Sequence, residues 1–272
     1  MKVFISADME GISGIVAGQQ TGPEGPEYER ARRLMTGEVN AAVEGALAAG
    51  ATEVLVNDAH GSMRNILIED LHPAARLISG SPKPLSMMQG VDEGCDAAFF
   101  VGYHARAGTA HSTLDHTYAG IVYQVCLNGR PMGETGLNAA LAGYFGVPVV
   151  LLTGDRLLVE EGQALLGPGL RGVAVKESYG RAAARCLPPA VARERIRAAA
   201  EEALRTRTAP FRIAPPITLT VDFTSSAHAD MAECIPGIQR EGGRRIAYTH
   251  EDYLTLYKVW RALLALAYAS QG

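Results

Sequence analysis

The chain begins with a short apolar run, Val3-Phe4-Ile5, that ends in Ser6-Ala7-Asp8-Met9-Glu10-Gly11, and no other stretch constrains the fold as strongly. The run reads as a buried first strand. Side chains at i and i+2 share one face of an extended backbone, so Asp8 and Glu10 are expected to point together. Two carboxylates at the end of a buried strand repel each other and are costly to desolvate. A cation between them is the simplest remedy. Gly11 and then Gly14 are expected to let the chain turn sharply away.

The same texture continues for two-thirds of the chain. Strands are expected at Lys2–Asp8, Glu53–Asp58, Ala97–Gly102, Ile121–Leu127 and Val147–Thr153. Between the first two, Ala31, Met35, Val39, Ala42, Ala46 and Ala49 recur at helical spacing over Tyr28–Ala49, and Gly50 ends the helix. Thr135–Phe145 is a second expected helix. Strands alternating with such helices predict βαβ units and a mainly parallel α/β sheet with flanking helices.

After about Arg185 the pattern changes. Pro188-Pro189 open an expected helix reaching Thr206, strands follow at Ile217–Phe223 and Arg244–Tyr248, and a final helix carries Tyr253, Leu256, Tyr257, Trp260, Leu263, Leu264 and Ala267 on one stripe. Thr249 is the expected N-cap of that helix, with Asp252 in its first turn. The organisation expected is a metal-binding α/β domain over 1–185 and a smaller α+β domain over 186–272. Thr21–Pro26 reads as a loop.

Composition excludes several functions. With 272 residues, 47% hydrophobic and 20% charged, the chain can bury a sizeable core and resembles an ordinary soluble enzyme. A net charge of -4 argues against nucleic acid or an anionic membrane as partner. No apolar run reaches membrane-spanning length, and Asp8 and Glu10 interrupt any secretory signal, so a cytoplasmic location is expected. Cys95, Cys126, Cys186 and Cys234 are scattered, which suits reduced, buried thiols. The phosphate-cradling glycine motifs and the H-E-x-x-H and G-x-S-x-G patterns are missing.

Ligands of open parallel sheets bind beyond the carboxyl ends of the strands, and the polar residues collect there. The first strand leads to Asp8 and Glu10, the second to Asn57-Asp58-Ala59-His60-Gly61, and the third to Tyr103-His104. The strand around Val122–Leu127 leads through Asn128-Gly129 to Glu134 at a helix start. Two imidazoles and three carboxylates can therefore converge, a mixture that suits zinc or another divalent transition metal. One metal needs three or four protein ligands, whereas five with a bridging carboxylate serve two. Singly, each residue has a structural explanation: a strand-end Asp or His as turn former, Glu134 as a first-turn carboxylate favoured by the helix dipole. Asp58 is expected either to orient an imidazole or to form the turn. His111-Ser112-Thr113-Leu114-Asp115-His116-Thr117 adds an acid/base histidine beside the cluster. His72, His228 and His250 read as structural.

In this order the motifs resemble the D-aminopeptidases of the bacterial dipeptide-transport operon, a family of binuclear zinc peptidases. Its S-x-D-x-E-G signature is met by Ser6-Ala7-Asp8-Met9-Glu10-Gly11. The next ligands fall on His60, on His104 in Gly102-Tyr103-His104-Ala105, and on Glu134 in Gly133-Glu134-Thr135-Gly136-Leu137-Asn138. The resemblance spans the chain, is strongest over residues 1–155, and implies two zinc ions per chain. Asp8 would bridge them, Glu10 and His60 completing one site and His104 and Glu134 the other. It implies His116 as the catalytic histidine, with His111 as its rival because the intervening loop can differ in length. A metal-bound hydroxide would attack the peptide carbonyl, and His116 would stabilise the intermediate or protonate the departing amine. The implied activity is removal of N-terminal D-amino acids from short peptides, and the implied assembly is a homodecamer of two stacked five-membered rings. The alternatives are a binuclear-metal amidase of another substrate class or a non-catalytic peptide- or metal-binding protein. A phosphoesterase ranks lower, since no basic cluster accompanies the ligand motifs.

Overall fold

The computed structural model describes residues 1–206 and 208–270. Its elements run β1 (Lys2–Ala7), α1 (Tyr28–Ala48), β2 (Glu53–Asp58), β3 (Ala75–Ile78), β4 (Ala97–Tyr103), β5 (Val122–Leu127), β6 (Arg130–Pro131), α2 (Glu134–Tyr144), β7 (Val149–Asp155) and α3 (Arg156–Leu166). They continue with β8 (Arg171–Gly180), β9 (Ala183–Cys186), α4 (Pro189–Ala203), β10 (Ile217–Phe223), α5 (Ser226–Ala232), β11 (Gln239–Arg240), β12 (Arg245–His250) and α6 (Tyr253–Ala269).

Among the described residues, seven strands form one sheet in the order β3-β2-β1-β4-β7-β8-β9, parallel except for β9 at the edge. Alternation along β1 decides what covers each face. Val3, Ile5 and Ala7 pack beneath α1 and α4, while Phe4 faces the opposite core with Leu55 and Phe100. A second, antiparallel sheet has the order β11-β12-β10-β5-β6, and with α2, α5 and α6 it joins that opposite core.

Two placements differ from the sequence reading. The strand at 122–127 lies in the antiparallel sheet against β10, not in the parallel one. Val122, Val125 and Leu127 are buried, Tyr123 is exposed, and Gln124 and Cys126 are half-buried, with strict alternation broken by a register shift opposite Asp222 and Phe223. Helix α4 returns from the C-terminal region to pack on α1, where the bare Cα of Gly45 meets the Arg197 carbonyl and Ala200. The chain thus crosses between the two units before residue 185 as well as after it.

The final helix begins on Asp252 rather than Thr249. The Asp252 carboxylate accepts the Thr255 N–H at 2.7 Å, while Thr249 is held in β12 opposite Thr218. The apolar stripe from Tyr253 to Ala267 is buried as expected. Strands β3 and β8, together with β6, β9 and β11, and helices α3 and α5 lie outside the expected elements. The first two strands are partly exposed or interrupted by polar residues, which blurs their period.

The strand order carries the function. Going from β1, the chain fills β2 and β3 on one side and then crosses to β4 on the other. Loops leaving β1 and β4 therefore diverge and open a crevice beyond their carboxyl ends.

Candidate metal centre

Asp8 leaves β1 at this crevice, with its N–H donating to the Val101 carbonyl of β4 at 2.8 Å. The strand stops at Ala7, so Asp8 stands just past its end and Glu10 sits on a turn. They nevertheless converge: Asp8 Oδ1 and Glu10 Oε2 lie 3.2 and 2.9 Å from His60 Nδ1. Gly11 serves a purpose other than the sharp turn expected of it. A Cβ there would stand 1.8 Å from the Tyr103 carbonyl, so glycine lets the motif press against the end of β4. Gly14, at φ +86°, supplies the turn.

His60 follows β2 and His104 follows β4. The second oxygen of Asp8 faces His104 Nε2 at 3.5 Å, and Glu134 Oε1 faces the same nitrogen at 3.4 Å. Glu134 arrives from the other sheet: the β5–β6 hairpin, turning at left-handed Asn128 and Gly129, delivers it to the first turn of α2. His116 stacks on His104 with ring centroids 4.0 Å apart, and its Nε2 is 3.7 Å from Glu134 Oε1. All five expected ligands are buried; Asp8, Glu10, His60 and Glu134 line one cavity of about 530 Å³ with His116, and His104 lies behind His116. His111 is exposed and stands outside it.

The tautomers show what the cluster wants. A carbonyl only accepts, so His60 Nε2–H donates to the Thr21 carbonyl at 2.7 Å and His104 Nδ1–H donates to the Ala105 carbonyl at 3.0 Å. Each neutral ring then aims a lone pair at carboxylate oxygens, an arrangement that repels unless a positive charge lies between. His104 Nε2 and Glu10 Oε2 are buried without a hydrogen-bond partner. Burial and the neighbouring Glu10 push Asp8 up to about 7. Burial pulls His104 down, but Glu134 and then Asp8 outweigh it and raise the ring to about 10. The cluster therefore attracts protons where divalent cations would serve, and its His/Asp/Glu donors fit zinc.

The sequence profile of peptidase family M55, D-aminopeptidase, matches residues 1–262. The chain belongs to the D-aminopeptidase family. It is 38% identical over 270 residues to the D-aminopeptidase of Bacillus subtilis strain 168, with 98% of each chain covered. A solved structure, the Zn-dependent D-aminopeptidase DppA from Bacillus subtilis, "a self-compartmentalizing protease", aligns with a TM-score of 0.95 at 37% identity over 98% of both chains.

Several residues of this family member complete the site without having been expected there. The Tyr118 N–H donates to Glu134 Oε1 at 2.7 Å, and its hydroxyl donates to Asn138 Oδ1 at 2.7 Å. The loop carrying His116 is tied to Asp155, which accepts the Ser112 and Ser178 hydroxyls at 2.7 and 2.8 Å. Lys176, fully inside, donates to the carbonyls of Glu10, Ile12 and Ile15 and so holds the segment after the motif. Asp58 takes the turn-forming role: it accepts from the N–H groups of Asn65 and Ile66 and from the Asn65 amide, and it does not touch the His60 ring. Tyr118 lies two residues past His116, and that proximity was the one signal available for it. Asp155 and Lys176 reach the site from distant strands, which no local pattern reveals.

His72 and His250 each accept a nearby backbone N–H, and His228 Nδ1 lies 3.0 Å from the Ala267 carbonyl, as structural histidines do. All four cysteines are free, with Cys95 buried and Cys234 exposed, so burial is not general among them.

Proposed function

We propose that this chain is a binuclear zinc aminopeptidase that releases N-terminal D-amino acids from short peptides. The observation that carries the reading is the placement of Asp8. Its two oxygens face two separate imidazole–carboxylate groups, Glu10 with His60 and His104 with Glu134. These five residues would hold two ions, with Asp8 shared. Zinc bound there supplies Lewis acidity, polarising a carbonyl oxygen and lowering the pKa of water.

The protein's own groups do the rest. Thr21 and Ala105 fix the two imidazoles through their outer nitrogens, which sets the tautomers for ligation. His116 donates its Nδ1–H to the Leu114 carbonyl at 2.9 Å, which leaves Nε2 turned toward Glu134 and the cavity. Burial and the adjacent His104 lower its pKa. It is therefore suited to take a proton at Nε2 during the reaction and hand it to the departing amine. Family resemblance supports a homodecamer with its sites turned to an inner chamber, and a cytoplasmic location. None of the described helices is long and apolar enough to cross a membrane.

The test is elemental analysis of purified protein combined with a panel of D-Ala-D-Ala, L-Ala-L-Ala and a phosphoester. Two zinc ions per chain and release of D-alanine are expected. One ion per chain, or full metal loading with no peptide cleaved, overturns the reading. Sedimentation velocity decides the decamer separately.

A further inference from the structure

The cavity over the acidic cluster has a cationic wall. Among its described lining residues, Arg261 of α6 is the one lysine or arginine, facing a floor that carries Asp8, Glu10 and Glu134. Its guanidinium lies 5.5 Å from the centroid of the Tyr118 ring. Trp260 holds the same ring edge-on at 5.6 Å, and the Tyr118 hydroxyl is fixed to Asn138 and to Tyr257, 2.8 Å away. A cation–π contact of this kind places a guanidinium without consuming its N–H groups. Some partly buried arginines elsewhere are paired, Arg32 with Glu29 and Arg240 with Asp230 and Glu233, although Arg193 is not. Among the described residues Arg261 has no such carboxylate partner and no hydrogen bond, so its N–H groups stand available at the cavity.

We infer that Arg261 binds the C-terminal carboxylate of the substrate. This deepens the peptidase reading and rests on it. A carboxylate entering the cavity finds in Arg261 the one cationic side chain among the described lining residues, and held there it leaves the N-terminal end of the peptide toward the cluster. At about 530 Å³ the cavity lies within the roughly 300–1,000 Å³ typical of small-molecule sites. The carboxylate within reach of Arg261 is then that of a peptide only a few residues long. Substrate length is thus set by a charge on α6, and peptides with a blocked C-terminus are disfavoured.

The experiment compares D-Ala-D-Ala with D-Ala-D-Ala amide on zinc-loaded protein. The wild type should show a lower KM for the free acid. Arg261→Gln should raise that KM roughly ten- to a hundredfold, the loss expected for one charge-assisted contact, with kcat and the amide little changed. Arg261→Lys should recover part of the loss. Equal KM values for acid and amide in the wild type, or an equal loss on both in the variant, overturns the inference. Calorimetric titration of the His116→Ala protein with both peptides separates this from failure of the peptidase reading. Tighter binding of the acid, abolished by adding Arg261→Gln, supports the carboxylate site even if nothing is cleaved, and equal Kd values reject it.

Discussion

Two sets of buried carboxylates sit a few strands apart and behave in opposite ways. Asp155, at the end of β7, is saturated: two hydroxyls and the Leu158 N–H converge on it, and it caps α3 while anchoring the His116 loop. Asp58, at the end of β2, is equally well served by Asn65 and Ile66. Asp8, Glu10 and Glu134 instead face imidazole nitrogens, with Glu10 Oε2 and His104 Nε2 left without hydrogen bonds. Burial does not distinguish the two sets, since all five acids are inside. The supply of donors does. Asp8 and Glu134 receive one backbone N–H each, from Met9 and Tyr118, and otherwise meet imidazole nitrogens, which marks a site for a cation, whereas a carboxylate saturated by N–H and O–H groups is structure.

The comparison breaks first at the cluster. His104→Ala should lose zinc, seen by elemental analysis, and lose essentially all turnover with it. His116→Ala should keep both metals yet lose roughly 10²–10⁴ in kcat, the range for a general acid, and a wild-type rate would remove His116 from the mechanism. On the saturated side, Asp155→Asn should cost about 1–3 kcal/mol in denaturant unfolding while zinc per chain stays unchanged. Loss of zinc by that variant would erase the distinction between the two sets.

Glu38 of α1 is an intermediate case and gives the smallest effect. Burial pushes it up to about 7 from 4.5, although it accepts the Ser13 N–H at 2.9 Å. An acid raised on folding favours the fold fully below its unfolded value, and that contribution is lost as pH rises through the folded one. Stability should therefore decline between pH 4.5 and about 7 on this account. Glu38→Gln should remove that slope, at most about 1.4 kcal/mol per pH unit. An unchanged pH–stability curve would show that the cations near Glu38, Lys176 and Arg193, hold its carboxyl at its ordinary value.

Much of the centre was legible because its residues occupy strand ends. Asp8, His60 and His104 each follow an apolar run whose direction and length the sequence reveals locally. Glu134 was legible as a residue but not by its route. It follows a strand whose apolar residues read like those of the parallel sheet but which pairs antiparallel with β10, so it enters from the second sheet. Asp252 displaced Thr249 as a helix cap because β12 extends through Thr249 to pair with β10. A propensity for capping yields to a ladder of backbone hydrogen bonds.

The order of residues along the chain determined which side chains could ligate a metal and roughly where each element begins, since both depend on neighbours in sequence. Tertiary structure alone decided that β1 stands at the switch of strand order, that Asp155 steadies the His116 loop, and that Arg261 overlooks the cluster. Those meetings join residues from distant elements. They depend on how crossovers and buried faces pack, and no short window of sequence contains that information.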